Sequence, residues 1–209
     1  MSKNATKTKN VGTTAGTTGG TRKPGKMDRR VYRTREALGD ALVSLMIEKS
    51  YDEITVQQVL ERAKVGRSTF YTHYVDKNDL FMSDVDDFWT LMSSMLTRRG
   101  EKSERVAPVK EFFEHIVDAR RFYDSLVASG RVHEVVELGQ AHLAGGIQQR
   151  LEAIPRASVL SAGRRKLMSQ AFSGAFFSLL SWWVSHPKSG TPAEMDEMFH
   201  RMVWSGVGK

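Results

Sequence analysis

The stretch TVQQVLERAKVGRSTFYTHYVDKNDL, Thr55 to Leu80, opens and closes as an amphipathic helix and is interrupted at Val65-Gly66. Thr55 can cap a helix, and Gln58 three residues on completes a capping box. Ile54 and Val59 bracket that cap at the spacing of a hydrophobic staple. Val59, Leu60 and Ala63 then face a core until Gly66, which tolerates unusual dihedrals and can serve as a modest N-cap. Val65 and Phe70 repeat the staple spacing around Gly66, and Asp76 and Asp79, with Val75 and Leu80, repeat the arrangement once more. The pattern predicts two short helices joined by a tight turn, a third close behind, and a preceding helix to pack on: a helix-turn-helix.

The second short helix, Arg67 to about His73, has Phe70 and Tyr74 on one side. Arg67, Ser68, Thr69, Tyr71, Thr72 and His73 stay largely outside. A helix that enters the major groove of duplex DNA needs such a face, with N-terminal residues at the base edges and flanking groups on phosphates. Arg67 can make a bidentate pair with guanine, Ser68 can adapt to several bases, and Thr72 one turn on can reach a base or a thymine methyl. Thr55 and Lys77 sit at helix starts, where free N–H groups and the positive dipole end attract phosphate.

Charge placement agrees with a polyanion partner at one end. Of the net +7, residues 1–35 hold ten Lys/Arg against one acid, which makes +9 there and leaves −2 for the rest of the 209 residues. Residues 1–28 are mostly Thr, Gly, Lys and Asn; with so little apolar area to offset ordering entropy, they are expected to be a disordered basic tail. Within it, Gly20 to Met27 has the GxxxxGK spacing of a phosphate loop. Met27 replaces the required hydroxyl residue and no apolar strand precedes, so the match is fortuitous. The absence of cysteine excludes disulfides, thiolate metal sites and cysteine nucleophiles. No apolar run approaches the roughly 18–20 residues of a membrane span, and no signal-peptide segment follows the first lysines. A soluble, cytoplasmic protein without membrane contact is expected.

From Thr34 onward nearly every apolar run has helical spacing, which predicts an all-α fold. The expected organisation is a tail over 1–28, a three-helix helix-turn-helix domain over 29–76 and a helical domain over 77–209. Leu38, Ala41, Leu42, Leu45 and Met46 mark the first helix, and Leu80, Phe81, Phe88, Trp89, Met92, Met95 and Leu96 a long one fading at Arg98-Arg99-Gly100. Pro108 suits a first helical turn. A helix from about Val132 to Ala153 is weakened by Gly145-Gly146. Leu160 to Ser185 is apolar on more than one side, with Phe172, Phe176, Leu179 and Trp183 on one stripe, so it must be covered more than once. With Met195, Phe199 and Met202 of the last helix, these residues predict a four-helix bundle between two copies, against the alternative of a monomeric core. A twofold dimer would read a palindromic operator.

Catalytic and metal chemistry find little support. No GxSxG nucleophile motif is present, Glu197-x-x-His200 lacks the paired carboxylates of a bundle metal site, and Asp84, Asp86 and Asp87 are expected to form a solvated face.

Residues about 30–82 resemble the tetracycline-repressor (TetR) family of bacterial regulators, through Ala63, Val65, Ser68-Thr69-Phe70-Tyr71, His73-Tyr74, Lys77 and Leu80-Phe81. The resemblance implies Arg67, Ser68, Tyr71 and Thr72 as base-contacting residues and Thr55, Thr69, Tyr71, His73 and Lys77 as phosphate-contacting residues. It also implies a small-molecule effector pocket, for which Phe88, Trp89, Met92, Phe112, Phe113, His115, Phe122, Tyr123, His133 and His142 offer an aromatic lining. The end of the chain, from Ser181, looks weakly like regulators of dihydroxyacetone kinase genes. Lys64 stands where the family usually has glycine, and Gly66 where it often has serine. The function expected is a ligand-responsive repressor without a cofactor. Alternatives are a DNA-binding regulator without an effector, and a helical enzyme or carrier using the aromatic cavity.

Overall fold

The computed structural model describes residues 26–186 and 188–207, and all regular structure in them is helical. Helices α1 (Lys26–Glu48), α2 (Val56–Ala63) and α3 (Arg67–His73) precede the long α4 (Lys77–Arg98). Then come α5 (Val109–Asp118), α6 (Arg120–Ala128), α7 (Val132–Ala153), α8 (Ala162–Ser185) and α9 (Pro192–Val207). Residues 1–25 of the expected basic tail lie outside the described residues. Helix α1 begins at Lys26, inside the span read as tail.

The apolar stripe of α1 is buried as its spacing predicts: Leu38, Ala41, Leu42, Leu45 and Met46 all lie in the core. Helix α2 packs across α1, and α4 leaves this unit to run against α7, which in turn packs on α8. The glycines of α7 do not interrupt it; two of them seat α4. A Cβ on Gly139 would stand 2.4 Å from the Trp89 ring, and one on Gly146 2.4 Å from the Ser93 carbonyl oxygen. Residues that weaken the helix in isolation let two helices close on each other.

The connection between α4 and α5 is fixed by two arginines. Arg150, 6% exposed, donates to the carbonyls of Arg105, Glu101 and Ser103 at 3.0, 2.9 and 2.8 Å. Arg105 pairs with Glu111 and Asp196, and His200 Nε2 accepts from the Val106 amide at 3.0 Å. A buried guanidinium is tolerable because its donors are spent on carbonyls that would otherwise lack partners.

Candidate nucleic-acid interface

The start of α2 is built as the sequence implies. Thr55 Oγ1 accepts from the Gln58 amide at 3.3 Å, and Gln58 Oε1 accepts from the Thr55 amide at 3.0 Å, a reciprocal capping box. Lys49 Nζ donates to the same Gln58 oxygen at 2.7 Å, which ties the box to the end of α1. Asp76 Oδ1 likewise accepts from the Asp79 amide at 2.8 Å and caps α4. The staple expected there does not form: Val75 is 78% exposed.

The turn between α2 and α3 puts its unusual backbone on Lys64. This residue adopts φ 55°, ψ 39°, the left-handed conformation that favours glycine, and it is the only non-glycine with positive φ among the described residues. Gly66 has ordinary extended dihedrals, and a Cβ there would approach only Thr69 Oγ1, at 3.9 Å. Gly66 is therefore not required by geometry, whereas position 64 is the one where a glycine would be free of strain.

Helix α3 is anchored by Phe70, fully buried, and followed by Tyr74, whose hydroxyl accepts from Arg35 Nε at 3.1 Å. Burying a phenylalanine of this kind contributes roughly 1.5–3 kcal/mol, enough to hold two helical turns that could not persist alone. The opposite face carries Arg67, Ser68, Thr69, Tyr71 and Thr72, all exposed, with His73 half-buried. The Arg67 guanidinium carbon lies 5.9 Å from the Tyr71 ring, and Thr72 Oγ1 donates to the Ser68 carbonyl at 2.9 Å. Five polar side chains on an exposed helix with its back to the core leave a free hydrogen-bonding face.

Lys77 stands apart from this face. Its Nζ donates to the carbonyls of Tyr51 and Ile54 at 2.6 and 2.7 Å and lies 4.1 Å from the Tyr51 ring centroid. Desolvation, the largest influence, lowers its pKa. An ammonium committed to two carbonyls is a poor phosphate ligand, so the side-chain role implied for Lys77 is corrected to holding the segment that leads into α2. Only its backbone amide, at the start of α4, still suits phosphate.

Arg35 ties α1 to the rest of the unit, donating to Tyr74, to Ser83 Oγ at 2.8 Å and to Asp87 Oδ2 at 2.9 Å. Beside it Asp84 departs from the solvated role read in the sequence. Its carboxylate fills the space left by Gly39, where a Cβ would sit 2.4 Å from Oδ2, and burial, reinforced by Asp87, pushes its pKa up to about 7.

The aromatic set read as a pocket packs mainly on itself. Trp89 stacks on Phe112 at 5.0 Å and donates from Nε1 to the Val135 carbonyl at 3.0 Å, while Phe113 meets Trp183 at 4.8 Å. Trp89, Met92, Phe112 and Phe113 are core residues; Phe88 touches His115 at 5.1 Å, Phe122 and Tyr123 are partly buried, and His142 pairs with Asp86 at 2.9 Å. Burial also raises the Tyr123 pKa strongly.

The residues assigned to a dimer interface need a similar correction. Phe172, Phe176, Trp183, Met195 and Phe199 are buried in their own chain, Leu179 is partly buried, and only Met202 is exposed. A ring already enclosed by its own helices has no surface left to offer a partner. The outward apolar residues of α8 and α9 are instead Leu167 (70% exposed), Trp182 (48%), Met198 (44%) and Met202 (46%). Among the described residues no cluster of metal-ligating side chains occurs, and no helix is long and apolar enough to cross a membrane.

Residues 38–83 match the family model for bacterial regulatory proteins of the tetR family. An HTH-type transcriptional regulator of Bacillus subtilis, YxbF, is 36% identical over 77 residues, 33% of this chain and 20% of that protein. Over the first three curated relatives it matches, the chain spans between a fifth and a half of their length. Among solved structures, a TetR transcriptional regulator from Streptococcus agalactiae superposes with a TM-score of 0.57 at 24% identity, covering 85% of this chain and 97% of that one. The dihydroxyacetone kinase operon activator DhaS superposes with a TM-score of 0.61 at 13% identity, covering 83% and 96%. Both likenesses are of fold.

Proposed function

We propose, on the premise that its helix-turn-helix belongs to the tetR family of bacterial regulatory proteins, that this chain is a transcriptional regulator binding duplex DNA. It acts as a homodimer on a palindromic operator and works in the cytoplasm. The observation that carries this is the exposed face of α3, where Arg67, Ser68, Tyr71 and Thr72 project from a helix anchored by the buried Phe70. These four reach base edges. Thr55, Thr69, Tyr71, His73 and the amide of Lys77 meet phosphates on either side. The Arg67 fork fits guanine O6 and N7 bidentately.

The exposed residues of α8 and α9 supply the dimer contact, and two copies of α3 then read half-sites ~34–36 Å apart. Repression by occupancy of a promoter, with release by a small apolar effector, is the regulatory scheme proposed. Because the aromatic rings of α4, α5 and α6 fill their own space, an effector would have to favour a conformation in which Phe88, Phe122 and Tyr123 move aside. Such a ligand shifts the population only by its differential affinity for the two states. No catalytic role is proposed.

Selection of bound duplexes from a random pool tests this reading. An enriched palindrome with half-sites one helical turn apart is expected, and Arg67→Ala should cost ~1–3 kcal/mol on it while relaxing one base position. Absence of any enriched sequence removes the proposal.

A further inference from the structure

Among the contacts between the helix-turn-helix unit and the helices behind it, one is built around a single aromatic ring. Tyr51, in the short turn between α1 and α2, is 3% exposed and lies among three cationic or aromatic neighbours. Lys77 Nζ stands 4.1 Å from its ring centroid, the Arg131 guanidinium carbon 4.4 Å, and the Phe81 ring 5.6 Å. Its hydroxyl is buried without a hydrogen-bond partner. A tyrosine held there for its ring, at the expense of its hydroxyl, is held by cation–π attraction, which is strongest when the pair is shielded from water.

Arg131 comes from a distant part of the sequence, the turn between α6 and α7. Its guanidinium also lies 4.9 Å from the Phe81 ring, and it donates to Asn78 Oδ1 in the first turn of α4 and to Glu134 Oε2 at 2.6 Å. One side chain thus grips both the turn before α2 and the start of α4. From Tyr51 the path to the reading head is short. Lys77, sharing the ring, holds the Ile54 carbonyl, and the next residue is Thr55, whose capping box fixes the direction of α2.

We propose that Arg131 is a positioning residue for operator binding: it links the α6–α7 turn to the start of α2 and so sets the placement of α3 without touching DNA. This rests on the DNA-binding function proposed above. A displacement of α7, whatever causes it, would act through this guanidinium, because the stack tolerates little sliding before the cation–π and Asn78 contacts are lost together.

The test uses the full chain and two variants. Arg131→Ala removes the stack and the Asn78 contact; Arg131→Lys keeps the charge but not the planar fork, and guards against a fold that fails without any cation. Affinity for the selected palindrome is measured over a range of salt concentrations, together with amide hydrogen exchange of the free protein at residues 55–58. Arg131→Ala is expected to weaken binding roughly three- to thirtyfold, the range of one coupling step. The slope of affinity against salt stays unchanged, because no phosphate contact is lost. Exchange at the Gln58 amide rises, and Arg131→Lys falls between Ala and wild type in both measurements. Unchanged affinity and unchanged exchange overturn the proposal; a slope reduced by about 0.9 makes Arg131 a direct phosphate ligand and overturns it too. If the wild-type chain prefers no duplex, the DNA-binding function fails, while the exchange measurement still decides the link between Arg131 and α2.

Discussion

Lys64→Gly should stabilise the protein, and the reason lies in one pair of dihedrals. At φ 55°, ψ 39° the lysine Cβ crowds the following carbonyl oxygen, a conformation that costs an ordinary L-residue roughly 1–2 kcal/mol. Glycine escapes that cost but loses more backbone freedom on folding, which returns roughly 0.5–1 kcal/mol. The side chain of Lys64 is exposed and is in no ion pair among the described residues, so little else is lost with it. A net gain of about 0.5–1 kcal/mol follows, or ~1–4 °C in Tm for a chain of this size. The assay is thermal unfolding of wild type, Lys64→Gly and Lys64→Ala at one protein concentration, since self-association makes Tm concentration-dependent. Alanine keeps the Cβ and should give no gain. A Gly variant no more stable than the Ala variant would refute the reasoning, because the two differ only in the atom held responsible.

Three further outcomes follow from burial. Asp84 has a folded-state pKa of about 7 against an ordinary value of 3.8, so the fold favours its protonated form. Its contribution to stability is complete below pH ~4 and is lost as the pH rises through about 7, by at most roughly 4 kcal/mol at ~1.4 kcal/mol per unit. Urea unfolding from pH 4 to 8 should show that decline in wild type and a flatter profile in Asp84→Asn; superimposable profiles would mean that the carboxylate is solvated. Replacing Leu167 and Met202 with glutamate should give folded monomers in sedimentation. Phe176→Ala should instead lower unfolding stability by ~3–5 kcal/mol, as expected for a cavity in the chain's own core. Folded dimers from the glutamate pair would exclude these outward faces from the interface.

The difference between those last variants marks the boundary of what sequence pattern could carry. Around Thr55 and Gly66 every determinant is local: caps lie three residues from their partners, staples five, and the polar face of α3 is whatever Phe70 and Tyr74 leave outside. The two short helices and the polar face of the second were therefore visible, and α2, α3 and α4 start where their caps imply. In α8 the apolar residues surround the helix, so periodicity registers that it is covered on several sides but not which side its own chain covers. Phe176 and Leu167 were indistinguishable on that basis. Lys77 and Arg131 escaped for a different reason: each acts on Tyr51 across an intervening helix or more, and a charge at a helix start looks the same whether it will meet a phosphate or a carbonyl. Glycines 139 and 146, local flaws in α7, acquire their purpose only when Trp89 and Ser93 of α4 lie against them. The surface proposed to read DNA can be specified by short-range rules because it must stand clear of the rest of the chain. The contacts that aim it cannot, because aiming requires residues from both halves of the molecule to meet.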